Sequence, residues 1–286
     1  MHARLAHWLH DRLVAWMHRE TGPWRHGGSA LSRHAALLRP GDVLLVESRT
    51  RLGRFIKTAT RSPWTHVALY AGHLHAHPDP ELRRLHARHA PDLRGPLIVE
   101  AELGIGTRLM PLAKYDANHV RICRPRGLSE AQRAAVLRHA LRRLGLDYDL
   151  RHLWDLARLL HPWFLLPRRL GSSLARPERT AAPQTICSTL IAEAFASVGL
   201  TVHSHAALVH GVLPGQRPDD PRLITPGDFD LSPHFDIIKP PCTPEWRPRP
   251  APARPAWLAA LAAELRRLPP RARGWGRSLM QSFAHR

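Results

Sequence analysis

Cysteine is scarce in this chain: three residues, at 123, 187 and 242, with no C-x-x-C pair among them. That number cannot build a disulfide framework, and it is compatible with a reducing compartment. Long apolar runs are also missing. The N-terminal stretch MHARLAHWLHDRLVAWMHRE interleaves Leu5, Trp8, Leu9, Leu13, Trp16 and Met17 with charge, so it has neither the core of a secretory signal nor a membrane span. Residues 150–171, LRHLWDLARLLHPWFLLPRRLG, are more apolar but are broken by charge and by Pro162 and Pro167. The expectation is a cytoplasmic or peripherally membrane-associated protein with no signal peptide and no transmembrane helix. Acidic residues are few as well, 23 against 42 basic ones that are almost all arginine, which leaves a formal net charge of +19. Such a surface attracts polyanions such as nucleic acid, anionic lipid headgroups or acidic wall polymers. With no zinc-finger spacing, P-loop or aromatic RNA-module signature, no specific nucleic-acid partner is expected.

What is present suits an enzyme-sized main domain with appendages, since 286 residues at 44% hydrophobic content can bury a substantial core. Residues 1–37 read as an N-terminal amphipathic helix, over 2–19, and a linker. That helix either packs on the main domain or lies on a membrane surface. The main domain spans 38–238, and 239–286 is a basic Pro/Arg-rich tail with a possible short helix at 256–268. Within the main domain, RPGDVLLVES reads as a turn and a strand, and 49–61 as a short helix. THVALYAG, PLIVEAEL and HVRICRP supply further strands. Ser129 and Gln132 form a capping box for a helix whose stripe is Ala131, Ala134, Leu137, Leu141 and Leu144. His73, His75 and His77 alternate, which could set three imidazoles on one strand face, although a solvated loop is the ordinary reading.

Cys187 stands immediately before a helical pattern in TICSTLIAEAF, with Leu190, Ile191, Ala194 and Phe195 on its apolar face and Gly199 at its end. Unpaired N–H groups at a helix start favour thiolate over thiol. A cysteine nucleophile needs a base in reach and a group to orient it. His66, held at the start of a strand, is the candidate base, and Glu100, in LIVE, the candidate orienting group. This requires 66–70 and 97–101 to pair. Ser188 could contact the substrate near the oxyanion or cap the helix. Cys, His and Glu are also competent metal donors, and a purely structural Cys187 would leave a non-catalytic basic binding protein.

RPGDVLLVES, SPWTHVALYAG, GLDYDL, ICSTLIAEAF and ITPGDFDLSPHF together resemble the circularly permuted papain-like cysteine hydrolases, the YiiX- and YaeF-like relatives of the NlpC cell-wall hydrolases. The resemblance covers roughly residues 38–236. It implies an α+β fold, a circularly permuted papain-like (NlpC-like) arrangement with a small antiparallel sheet packed against the nucleophile helix. It also implies His66 as base, Glu100 as orienting residue, Cys187 as nucleophile and Tyr148 bordering the site, with no metal and no cofactor. The basic tail, the His-rich insertion at 73–94 and the 150–171 stretch depart from the family pattern.

The chemistry so implied is hydrolysis of an amide, ester or thioester through a covalent acyl-enzyme on Cys187, of a peptidoglycan fragment or a lipid-linked acyl group. An acyltransferase would share the first half of the reaction.

Overall fold

The computed structural model describes residues 12, 14–21, 28–148, 184–210 and 217–239. The expected lid at 150–171, the tail beyond Lys239, Cys242 and most of the N-terminal helix lie outside the described residues. The strands are β1 Val43–Glu47, β2 His66–Gly72, β3 Leu97–Glu102, β4 Gly106–Pro111, β5 His119–Pro125, β6 Asp147–Tyr148, β7 Gln184–Thr185 and β8 Phe235–Lys239. The helices are α1 Arg51–Thr60, α2 Pro80–His89, α3 Glu130–Leu141, α4 Cys187–Ala196, α5 His205–His210 and α6 Pro226–Leu231.

Six strands form one antiparallel sheet in the order β4-β3-β2-β1-β5-β8. Its centre is apolar in near-continuous runs because both faces are covered. Val43 and Leu45 of β1, with Val67, Leu69 and Ala71 of β2, face the layer that contains α3 and α4. Leu44, Val46, Ala68 and Tyr70 face the opposite side, where Leu31, Leu112 and Tyr115 pack beneath the sheet. Burying each such aliphatic side chain stabilises the fold by about 1.5–3 kcal/mol. The α+β architecture, with its antiparallel sheet against the Cys187 helix, is the permuted papain-like one expected.

Local chemistry explains most element ends. The Ser129 hydroxyl accepts from the Gln132 N–H while the Gln132 side chain accepts from the Ser129 N–H, so α3 starts where the capping box placed it. Its buried face is Val136, Leu137, Ala140 and Leu141, and Ala131, expected in the stripe, is exposed. The imidazoles of 73–77 do not share a strand face. Leu74–Ala76 is a 3-10 turn, and the His77 Nδ1 accepts from the Asp79 N–H at 3.0 Å. Asp79 then caps α2 and binds Arg138, docking the insertion on α3.

Two strands of the main sheet fall where none was expected, and the N-terminal segment makes the packing contact that was one of its two expected readings. β4 forms the edge beyond β3, and β8 the edge beyond β5. Part of the N-terminal segment packs on the domain: 12 and 14–17 are helical, the His18 Nε2 lies 3.0 Å from the Leu103 carbonyl, and Glu20 bridges Thr50.

Candidate active site

One end of the sheet gathers the C-termini of β1 and β3 and the N-termini of β2, β4 and β5. The β2–β3 ladder runs from Gly72↔Leu97 to Leu69↔Val99 and stops there, so the first residues of β2 part from β3. The N-terminus of α4 lies at this opening, where the Val67 N–H is a hydrogen-bond donor to the Cys187 sulfur instead of to a strand.

Cys187 is the first residue of α4 and is buried. Ile186 occupies the cap position with no side-chain capping bond, so the helix leaves its first N–H groups for the sulfur. The Ser188 N–H is one of them. Ser188 is therefore inside the helix and not its cap, and it is almost wholly buried. Burial pushes the Cys187 thiol up. His66, by charge and by hydrogen bond, and the two backbone N–H groups outweigh it and hold the thiol below its ordinary value.

The His66 ring reaches the sulfur from the start of β2, and its Nε2 lies 3.3 Å from the Glu100 Oε2. Its side chain keeps 18% exposure, so the site opens to solvent at the imidazole. Burial draws the imidazole down, but the charge of and hydrogen bond to Cys187, and then Glu100, raise it from 6.5 to about 10. A thiolate–imidazolium pair is the state these shifts favour at neutral pH.

Glu100 has no exposed side-chain surface. Its Oε2 also accepts from the Tyr115 hydroxyl, while Oε1 accepts from Lys114 and, at 3.2 Å, from the Arg108 Nε. Lys114 continues to the Glu102 Oε2 at 2.7 Å. Burial would raise the Glu100 carboxyl, yet the hydrogen bond and charge of His66 and the charge of Lys114 hold it well below the carboxylate range. Burial and Glu100 together push the Tyr115 phenol well above its usual value, so its proton stays on as a donor.

The structure thus brings Cys187, His66 and Glu100 to one place. Tyr148 is near by backbone: the parallel ladder Asp147↔Gln184 and Tyr148↔Thr185 leads the chain into α4, and Thr107 ties that ladder to β4. Lys114, Tyr115 and Arg108 escaped sequence reasoning. Arg108 faces Glu100 in the β3–β4 register, so recognising β4 would have found it. Nothing in the spacing of PLAKYD marks the other two. Among the described residues no group of three or more His, Cys, Asp or Glu is arranged to hold a metal ion, and no helix is long and apolar enough to cross a membrane.

Residues 37–159 match the family described as permuted papain-like amidase enzymes, YaeF/YiiX, C92 family. The match takes in His66 and Glu100 and ends before Cys187. No curated protein matches the chain. Among solved structures the chain is similar to the metalloprotein yiiX from Escherichia coli O157:H7, at 15% identity and a TM-score of 0.43, over 70% of this chain and 96% of that one. At the level of family, residues 37–159 match the YaeF/YiiX permuted papain-like amidases, and that match supports a hydrolase or amidase of papain-like type.

Proposed function

We propose that the chain is a cysteine hydrolase that cleaves an amide, ester or thioester bond through a covalent acyl-enzyme, with Cys187 as nucleophile, His66 as general base and acid, and Glu100 as the residue that orients His66. The observation that carries this reading is the meeting of a helix-starting sulfur, an imidazole and a buried ionised carboxylate at the opening between β2 and β3.

With Glu100 on Nε2, the Nδ1 of His66 is the nitrogen left for sulfur. The Cys187 thiolate attacks the carbonyl carbon, and its electron pair forms the C–S bond as the carbonyl π pair moves to oxygen. That oxyanion is met by the Cys187 N–H at the start of α4. Collapse expels the amine, alkoxide or thiolate, which takes the proton from the His66 imidazolium, and leaves a thioester on Cys187. His66, now neutral, takes a proton from water as it attacks the thioester. The second collapse releases the acid and restores the ion pair. Ser188 and Tyr148 border the acyl side of this path.

Candidate substrates are peptidoglycan fragments and lipid-linked acyl groups. The arginine-rich surface suits anionic surroundings, peripheral contact with an anionic membrane among them. An acyltransferase would replace water by another acceptor in the second half. The test is intact-protein mass spectrometry after incubation with fractionated peptidoglycan fragments, lipids and acyl donors. The expected result is an acyl increment localised to Cys187 that is lost in His66→Ala. An increment on Cys123 or Cys242, or one indifferent to His66, would sink the assignment.

A further inference from the structure

The geometry around Glu100 points to a fourth participant, and we propose that Tyr115 is a positioning residue of this reaction, acting on His66 through Glu100. The inference rests on the catalytic reading above and extends it. A carboxylate oxygen offers two acceptor directions. At the Glu100 Oε2 the Tyr115 hydroxyl occupies one and the His66 Nε2 the other. At Oε1 both are taken by cations, Lys114 and Arg108. These two cations come from the rim, where their side chains keep 23% and 29% exposure, and both also bind Glu102. They pull the carboxylate toward the rim and Glu102. Tyr115, almost fully buried, is the one donor among the described residues, besides His66, that holds Oε2 on the imidazole side.

The position of Tyr115 is itself over-determined. It ends the 3-10 turn Leu112–Tyr115, whose first N–H donates to the Pro96 carbonyl at 2.9 Å. The next residue, Asp116, receives the Ser32 N–H at 2.7 Å and the Ser32 hydroxyl at 2.5 Å, and its carbonyl accepts from the Ala30 N–H at 2.9 Å. A Cβ on Gly28 would sit 2.2 Å from that same carbonyl, so the strap at 28–32 lies directly on the turn and no larger residue fits there. Segment 28–32, sequence-distant from every reacting group, is what locks the turn that presents the hydroxyl.

The consequence is energetic coupling between Tyr115 and Glu100, which a double-mutant cycle reads directly. The measurement is the rate of Cys187 alkylation by iodoacetamide at pH 7 on the full chain, quantified by peptide mass spectrometry in wild type, Tyr115→Phe, Glu100→Gln and the double variant. Tyr115→Phe is expected to slow alkylation about tenfold, the scale of one hydrogen bond to a charged group. In the Glu100→Gln background the same change is expected to do nothing further. An unchanged rate in Tyr115→Phe, or an equal loss in both backgrounds, overturns the proposal. If Glu100→Gln fails to melt cooperatively, the His66 titration of Tyr115→Phe, followed by imidazole NMR, decides: it falls below the wild-type titration at about 10 if Tyr115 holds Glu100 on His66, and an unmoved titration refutes this. Failure of the catalytic reading itself looks different, because wild type and His66→Ala would then alkylate at the same rate.

Discussion

Two cysteines lie in the same core layer, both buried, and their thiols are driven in opposite directions. Cys123 sits within β5, where burial, helped by the charge of Asp230, pushes it up to about 12. Cys187 sits at the start of α4, where His66 and two backbone N–H groups bring it down despite burial. Burial alone makes an inert thiol, and reactivity comes from what the fold aims at the sulfur. A second pairing sharpens the point. The His119 Nδ1 lies 2.8 Å from the Glu47 Oε2 at the same end of the sheet, much as His66 meets Glu100. By strand alternation it faces the other side, next to Trp64 and Lys57. This histidine–glutamate pair braces α1 on β1 and β5 through Lys57.

The largest expected effect that would break this contrast is at His66. His66→Ala should slow iodoacetamide labelling of Cys187 at pH 7 by about 100-fold, because the charge and hydrogen bond that hold the thiol down are lost with the imidazole. Cys123 should stay unlabelled in both proteins. Comparable labelling of the two cysteines in wild type would show that the sites do not differ.

The next concerns the imidazole. Because the charge of Cys187 is the first cause raising His66, Cys187→Ala should drop the His66 titration, followed by imidazole NMR, from about 10 toward its ordinary range. The linkage follows from the raised value. In wild type the His66 contribution to stability is complete below pH 6.5 and disappears as pH rises through about 10, and in Cys187→Ala that alkaline loss moves to lower pH.

The structural pair should respond at the other end of the scale. Burial would raise the Glu47 carboxyl, but hydrogen bonds and charges from His119 and Lys57 lower it from 4.5 to about 2. Its contribution is present above pH 4.5 and is lost as pH falls through about 2. Glu47→Gln should cost about 2 kcal/mol in urea unfolding at pH 7 and progressively less toward pH 2, with Cys187 labelling unchanged. The smallest effect is Cys123→Ala, about 1 kcal/mol of lost packing with no change in labelling at Cys187.

Much of the fold was legible because its signals are short-range. THVALYAG and PLIVEAEL carry apolar residues on both faces and could only be central strands. Ser129 and Gln132 announced a helix start, and the helix begins at Glu130 with Ser129 as its cap. β4 was hidden because Gly106–Pro111 mixes glycine, arginine and proline, and its edge position tolerates all three. The alternation of His73, His75 and His77 marks no strand, since Leu74–Ala76 is a 3-10 turn and Asp79 and Pro80 start α2 directly after it. At the site, Cys187, His66 and Glu100 could be named from the ends of recognisable elements. Tyr115 and Lys114 could not, because a 3-10 turn after an unrecognised strand has no periodicity to read.

The sequence by itself determined the elements and the residue types at their ends, since capping, alternation and helix starts depend on neighbours a few positions away. Only the tertiary structure decided that β2 and β3 part at Val67, that α4 begins in that opening, and that Tyr115 reaches Glu100. These are contacts between segments far apart in the chain, and they exist because both faces of one sheet had to be covered at once.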